Sequence, residues 1–250
     1  MLRAGEGVEQ RIGPHRTLVT LTLSRADAVG AAALSLTFAA VAWLVAPYML
    51  AMWRWAFTAG TAALELDGRL EVMSSAIVRA PIPVLAVSAA SPGRTAMIAG
   101  AVLVVALMMV AQRFSDTTLP MAYFIRAIAL VLASAVIVFG LGPSNMMDLA
   151  RYNRAMLHVS LGIWMLTPLV YGLTLFLLDI GWTRKAALIA LAMAHLAVFI
   201  PLQQLVAMYV VRHVSLLALP LVFVFGSVAP QVAVLIALYA WGASWPGRRP

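Results

Sequence analysis

The chain has 250 residues, 64% hydrophobic and 10% charged; soluble domains carry about 25% charged residues, so this chain has too few to clothe its apolar surface in water. Its net charge of +8 comes mostly from Arg scattered among apolar runs, with no clustered basic face for nucleic acid, so a lipid bilayer is the expected surrounding. It has no cysteine, which excludes disulfides, thiolate metal sites and a cysteine nucleophile.

These totals predict an all-α membrane protein: a bundle of six or seven transmembrane helices, with a small extracytoplasmic β-hairpin after the first. One transmembrane domain, 27–245, is expected between a cytoplasmic basic tail, 1–26, and a short basic tail, 246–250. The first tail holds Arg3, Arg11, Arg16 and Arg25, and its Gly5, Gly7, Gly13 and Pro14 disfavour a long helix. Thr17–Leu23 alternates apolar and polar, as a short strand or interfacial segment would.

The first span is predicted from about Ala28 to Trp53, too long for the apolar core of a signal peptide. Ala31, Ser35 and Ala39 recur every four residues and would let another helix approach closely. Residues 56–80 form an extended polar insertion. Within it Leu64–Val72 alternates around Asp67-Gly68, a pair suited to a tight hairpin turn. A bare hairpin is marginal in water, so it should pack on the membrane or a partner, with Asp67, Gly68 and Arg69 as the contact.

Ile77–Ala90 is short and broken by Arg79, Pro81 and Pro83; it reads as a seventh span or as a re-entrant or interfacial segment. Five clearer spans follow at about 95–112, 122–142, 155–178, 186–211 and 214–243, the last bent or broken by Pro220 and Pro230. With six spans and the N-terminus inside, nine Lys/Arg fall on the inner side and seven on the outer. That margin does not set the orientation; the N-terminal basic cluster favours the cytoplasm.

A few polar residues fall in or near the spans. Arg126 lies about two turns inside the third, as an intramembrane functional charge or as a side chain snorkelling to the interface. Arg151, Arg154 and His158 share one helix face, fit to hold an anionic headgroup, phosphate or carboxylate, or simply to flank a helix. His195 sits mid-span, as a functional group or as a neutral histidine bonded to a neighbouring helix. Gln203 and Gln204 follow Pro201, which frees a carbonyl that a neighbour would have to satisfy. The four His residues lack metal-ligand spacing, and no zincin helix, nucleophile elbow or phosphate loop is present, so neither metal nor cofactor is expected.

Several short stretches carry a resemblance: Trp43-Leu-Val-Ala-Pro-Tyr48, Asp67-Gly-Arg-Leu-Glu-Val72, Leu119-Pro-Met-Ala-Tyr-Phe-Ile-Arg126, Ile200-Pro-Leu-Gln-Gln204, His213-Val-Ser-Leu-Leu-Ala-Leu-Pro220 and Ala237-Leu-Tyr-Ala-Trp-Gly-Ala-Ser-Trp245. Taken in order over most of the chain, they resemble the exosortase H-associated family of polytopic membrane proteins. Exosortases use a membrane-embedded Cys with Arg and His on proteins bearing a C-terminal sorting signal. With no Cys here, Arg154 and His195 echo that set as a decayed site at most, and no catalytic residue carries over. The resemblance implies a non-enzymatic accessory subunit beside a membrane-embedded sorting enzyme in the bacterial inner membrane. Two alternatives stand next to it: a small transporter or channel subunit with a polar path near His195 and Gln203, and a membrane enzyme on lipid-linked substrates.

Overall fold

Long apolar runs become long helices here. The computed structural model describes residues 25–74, 78, 80–88, 92–114, 118–142, 149–178 and 180–245. The expected tails, apart from the helical residues at 25–26, lie outside the described residues, as does Thr17–Leu23. Helix α1 spans Arg25–Ala63, and strands β1 (Gly68–Met73) and β2 (Ile82–Val87) follow. Then come α2 (Arg94–Ala111), α3 (Leu119–Gly140), α4 (Leu149–Leu175) and α5 (Trp182–His213). The last apolar stretch, Leu216–Ala243, changes helix type three times. A 3₁₀ turn, Leu216–Ala218, leads into the α turn α6 (Leu219–Leu221), a π segment over Val222–Val228, and α7 (Ala229–Ala243).

Among the described residues, six helical stretches are long and apolar enough to cross a bilayer. Contacts at their ends fix an alternating order. At the end where α1 starts, here the proximal end, a Cβ on Gly30 would fall 2.7 Å from the Trp182 ring, and Arg184 lies 5.9 Å from the Trp245 ring centroid. At the distal end, Arg212 closing α5 pairs with Asp67 just after α1 at 2.8 Å. Gly100 near the start of α2 meets Val136 near the end of α3 and Leu217, which places those ends together.

Two expectations are corrected. Ile77–Ala90 is not a span: it holds β2, where Pro81 and Pro83 cannot donate to a helix ladder and Ile82, Val84 and Val87 suit a strand. Nor is Asp67-Gly68 a hairpin turn. Helix α1 runs ten residues past Trp53 through Ala56, Ala59, Ala62 and Ala63, good helix formers. It ends in a Schellman motif, with Glu65 at φ 50° and Leu66 N–H bonded to Thr61 O at 3.0 Å. Gly68 therefore opens β1, which pairs antiparallel with β2 in the register Leu70↔Leu85.

At 1.5 Å per residue the 39 residues of α1 extend about 58 Å, nearly twice the ~30 Å hydrocarbon thickness of a bilayer. The sheet uses this surplus length at the distal end. Strand β2 is buried along almost its whole length against α4, α1 and α5, while β1 lies on its outer side. The core runs along the contacts of α1, α4 and α5, through Trp53, Leu161, Leu196 and Ile200. Helices α2 and α3 pair mainly with each other and leave many apolar side chains facing outward.

Candidate functional site

Two prolines dictate where the polar residues of the bundle go. Pro201 has no N–H, so the carbonyl of Ala197, four residues earlier, loses its helical donor. Trp53 of α1 supplies one: its Nε1 donates to Ala197 O at 2.7 Å. Pro230 does the same to Gly226. Around it the helix widens to π geometry, with Ala229 N–H reaching back five residues to Val224 O. Gln203 Nε2 donates to Gly226 O and to Ser227 O, both at 2.8 Å. Its Oε1 accepts from Gln231 Nε2 at 2.6 Å. The two carbonyls require nitrogen on that side, so the orientation of the Gln203 amide follows from its neighbours.

Further bonds sew α4 into the same seam. Trp164 Nε1 donates to Met193 O at 3.0 Å, and the Tyr171 hydroxyl donates to Leu235 O of α7. Each side chain reaches a main-chain carbonyl on another helix. Without water to fall back on, an unsatisfied carbonyl inside a bilayer would cost several kcal/mol, roughly, which is why bent helices recruit such donors.

Nearer the distal end, Asn153 on α4 is fully buried. Its Nδ2 donates to Leu85 O of β2 at 2.8 Å and meets Met208 Sδ at 2.9 Å. This bond pins the sheet to the bundle. Gln204 lies one turn from Met208 on the same face of α5. Four buried polar atoms have no protein partner among the described residues: Tyr152 Oη, Asn153 Oδ1, His195 Nε2 and Gln204 Nε2. The His195 ring stacks on Phe199, with centroids 4.9 Å apart.

The other predicted residues are spread out. Arg126 is half-buried on α3, with its guanidinium 5.6 Å from the Tyr123 ring centroid. Arg151 and Arg154 are exposed in the first turns of α4, and His158 is half-buried behind them. Arg154 Nε donates to Ala150 O at 3.3 Å, and His158 Nδ1 lies 3.2 Å from Arg154 O. Asp67 is 78% exposed and held by Arg212, while Arg69 points outward from β1. The structure thus brings Gln203 together with the π segment and sets Gln204 one turn from Met208, which Asn153 bonds, and among the described residues neither glutamine bonds Arg126.

Trp53, Asn153, Ser227 and Gln231 complete these contacts; Trp53 suits a membrane interface by sequence and Asn153 lies beside the Arg151 patch, but both are buried, and the sequence assigns none of the four these bonds. One signal was available. Each proline marks a carbonyl four residues upstream that needs a donor, and Gln231 is a polar residue inside an apolar span. Among the described residues no group of three or more His, Asp or Glu is placed to hold a metal. An open groove of about 480 Å³ between α4 and α7, lined by Leu166, Val170, Leu235 and Ile236 among others, carries no charged side chain with which to hold a polar substrate. No family model, curated protein or solved structure matches the chain.

Proposed function

We propose that this chain is a multi-pass protein of the bacterial cytoplasmic membrane, serving as a non-enzymatic accessory or assembly subunit of an envelope protein-sorting system. One observation carries the non-enzymatic part. Gln203, the most heavily bonded polar side chain of the interior, directs its amide to two main-chain carbonyls and Gln231. Its chemistry goes into holding the π segment in place, which is the work of a scaffold. The sorting assignment rests on the resemblance to exosortase H-associated proteins. With the N-terminus in the cytoplasm, the sheet stands on the extracytoplasmic side, where sorted proteins emerge.

The test is removal of the protein from its own cell. Proteins with C-terminal sorting signals should then accumulate unprocessed, and the full chain supplied in trans should restore processing. Unchanged processing would sink the assignment. A second reading, a transporter or channel subunit, draws on His195 Nε2 and Gln204 Nε2, buried without a partner among the described residues. Purified chain in liposomes should move no proton or small solute; a flux abolished by His195→Phe would favour transport instead.

A further inference from the structure

We infer that β1 is a docking edge for a second copy of this chain, through an antiparallel β1–β1 pairing centred on Leu70. The argument begins with which backbone groups β1 has left over. In an antiparallel pair, residues alternate between those that aim both N–H and C=O at the partner strand and those that aim both away. Leu85 O is taken by Asn153 of α4, so Leu85 points away from β1. Its cross-strand partner Leu70 must then point away from β2. By alternation so do Gly68, opposite Val87, and Val72, opposite Pro83. Pro83 agrees independently: lacking an N–H, it fits a position that donates nothing to β1.

The outer edge of β1 therefore offers the N–H and C=O of Leu70, those of Val72, and the C=O of Gly68. The Gly68 N–H is already bonded to Leu66 O at 2.7 Å. No described residue bonds the remaining groups. Val72 is 61% exposed, and Arg69 and Glu71 are exposed on either side of Leu70. Such an edge is a template for another strand.

The charges select the strand. When β1 pairs antiparallel with its own copy about Leu70, each Arg69 stands opposite Glu71 of the copy, and each Glu71 opposite Arg69. Leu70 exchanges two hydrogen bonds with its counterpart, and each Val72 N–H reaches Gly68 O of the other chain. Arg69 and Glu71 fall at the positions where facing side chains are closest. Within the chain they face Ala86 and Val84, which offer no charge, and neither has an ion-pair partner among the described residues. The sequence Arg-Leu-Glu is thus complementary to itself in this register, and the result is one four-stranded sheet, β2–β1–β1–β2.

The absence of cysteine makes the test clean, because an introduced thiol is the only one. Leu70→Cys should form an interchain disulfide on mild oxidation of native membranes. Facing Cα atoms at such a pair lie about 5.5 Å apart, within the disulfide range. Val72→Cys should not, since the two copies of residue 72 sit about 14 Å apart along the strands. Charge reversal gives a second readout on purified protein: Arg69→Glu or Glu71→Arg alone should raise the dimer dissociation constant about tenfold. The double reversal should restore it. A monomer at all concentrations, equal cross-linking at residues 70 and 72, or single reversals without effect would each overturn the pairing. Capture of a different protein by the residue-70 thiol, with no self-linked product, would also overturn it and assign the edge to another chain's extended segment.

Discussion

Trp53 Nε1 bonds the Ala197 carbonyl that Pro201 leaves without a helical donor. The indole is fully buried, so its hydrogen bond and the proline break in the ladder belong to one arrangement. Trp53→Phe keeps most of the ring but strands that carbonyl, and should cost about 1–3 kcal/mol. Pro201→Ala returns an N–H to the ladder. In that background the Trp53→Phe cost should fall by at least half. A double-mutant cycle on unfolding of the purified protein measures the difference, and equal costs in both backgrounds would reduce Trp53 to a packing residue.

Gln203 and Gln204 are chain neighbours, both buried, and should respond oppositely to the same substitution. Gln203→Leu removes the donor of Gly226 O and Ser227 O and leaves Gln231 Nε2 without its acceptor. Loss of about 2 kcal/mol or more is expected, toward the upper end of interhelical polar contributions measured in membranes. Gln204 Nε2 has no partner to lose among the described residues, so Gln204→Leu should be neutral or stabilising for the fold. If Gln204→Leu destabilises as much as Gln203→Leu, the Gln204 amide has a partner beyond this chain.

Gly172 allows α4 to lie against α1. A Cβ there would fall 1.7 Å from Ser35 Oγ and 2.8 Å from Ser35 Cβ, with the Ser35 Cα behind them at 3.3 Å. Backbone stands behind the side chain, so rotation of Ser35 alone relieves little. Gly172→Ala should push the helices apart and cost about 1–3 kcal/mol as overpacking does. Adding Ser35→Gly removes the two closest atoms and should recover most of the loss. Thermal unfolding of the three variants in detergent checks this, and a Gly172→Ala protein as stable as the parent would deny the close approach.

The sequence was most legible where one cause acts locally. Apolar runs placed the five later helices within several residues, because length and hydropathy alone decide a spanning helix. The four-residue repeat of Ala31 and Ser35 pointed to close packing, and Ser35 does meet Gly172. The carbonyl freed by Pro201 was legible too, but not its donor, since Trp53 lies 144 residues away in sequence. Asp67-Gly68 misled because the hairpin pattern is local while the actual pairing joins Gly68–Met73 to Ile82–Val87. Strand β2 hid its nature for a related reason. Buried on both faces, it shows no alternation, and a continuous apolar run reads equally as strand or short span. The bonds of Gln203 depended on a π segment that no period in the sequence announces.

With β2 folded as a strand, the helical stretches long and apolar enough to cross number six among the described residues, an even count that makes sidedness testable. A reporter inserted before Arg94 should read the side opposite to an N-terminal tag, since only α1 separates them. One placed after Ser244 should read the same side as the tag, with six helical stretches between. Arg94 and Arg212 should share a compartment, as the Asp67–Arg212 pair requires. That pair is itself a weak anchor: both side chains are well exposed, so Asp67→Ala should change stability by less than about 1 kcal/mol. It should leave the reporter pattern untouched, because crossing is set by helix hydropathy and β2 is held by Asn153 and buried contacts. A reporter before Arg94 that reads with the N-terminal tag would restore a crossing at 77–90 and remove the sheet from the distal end.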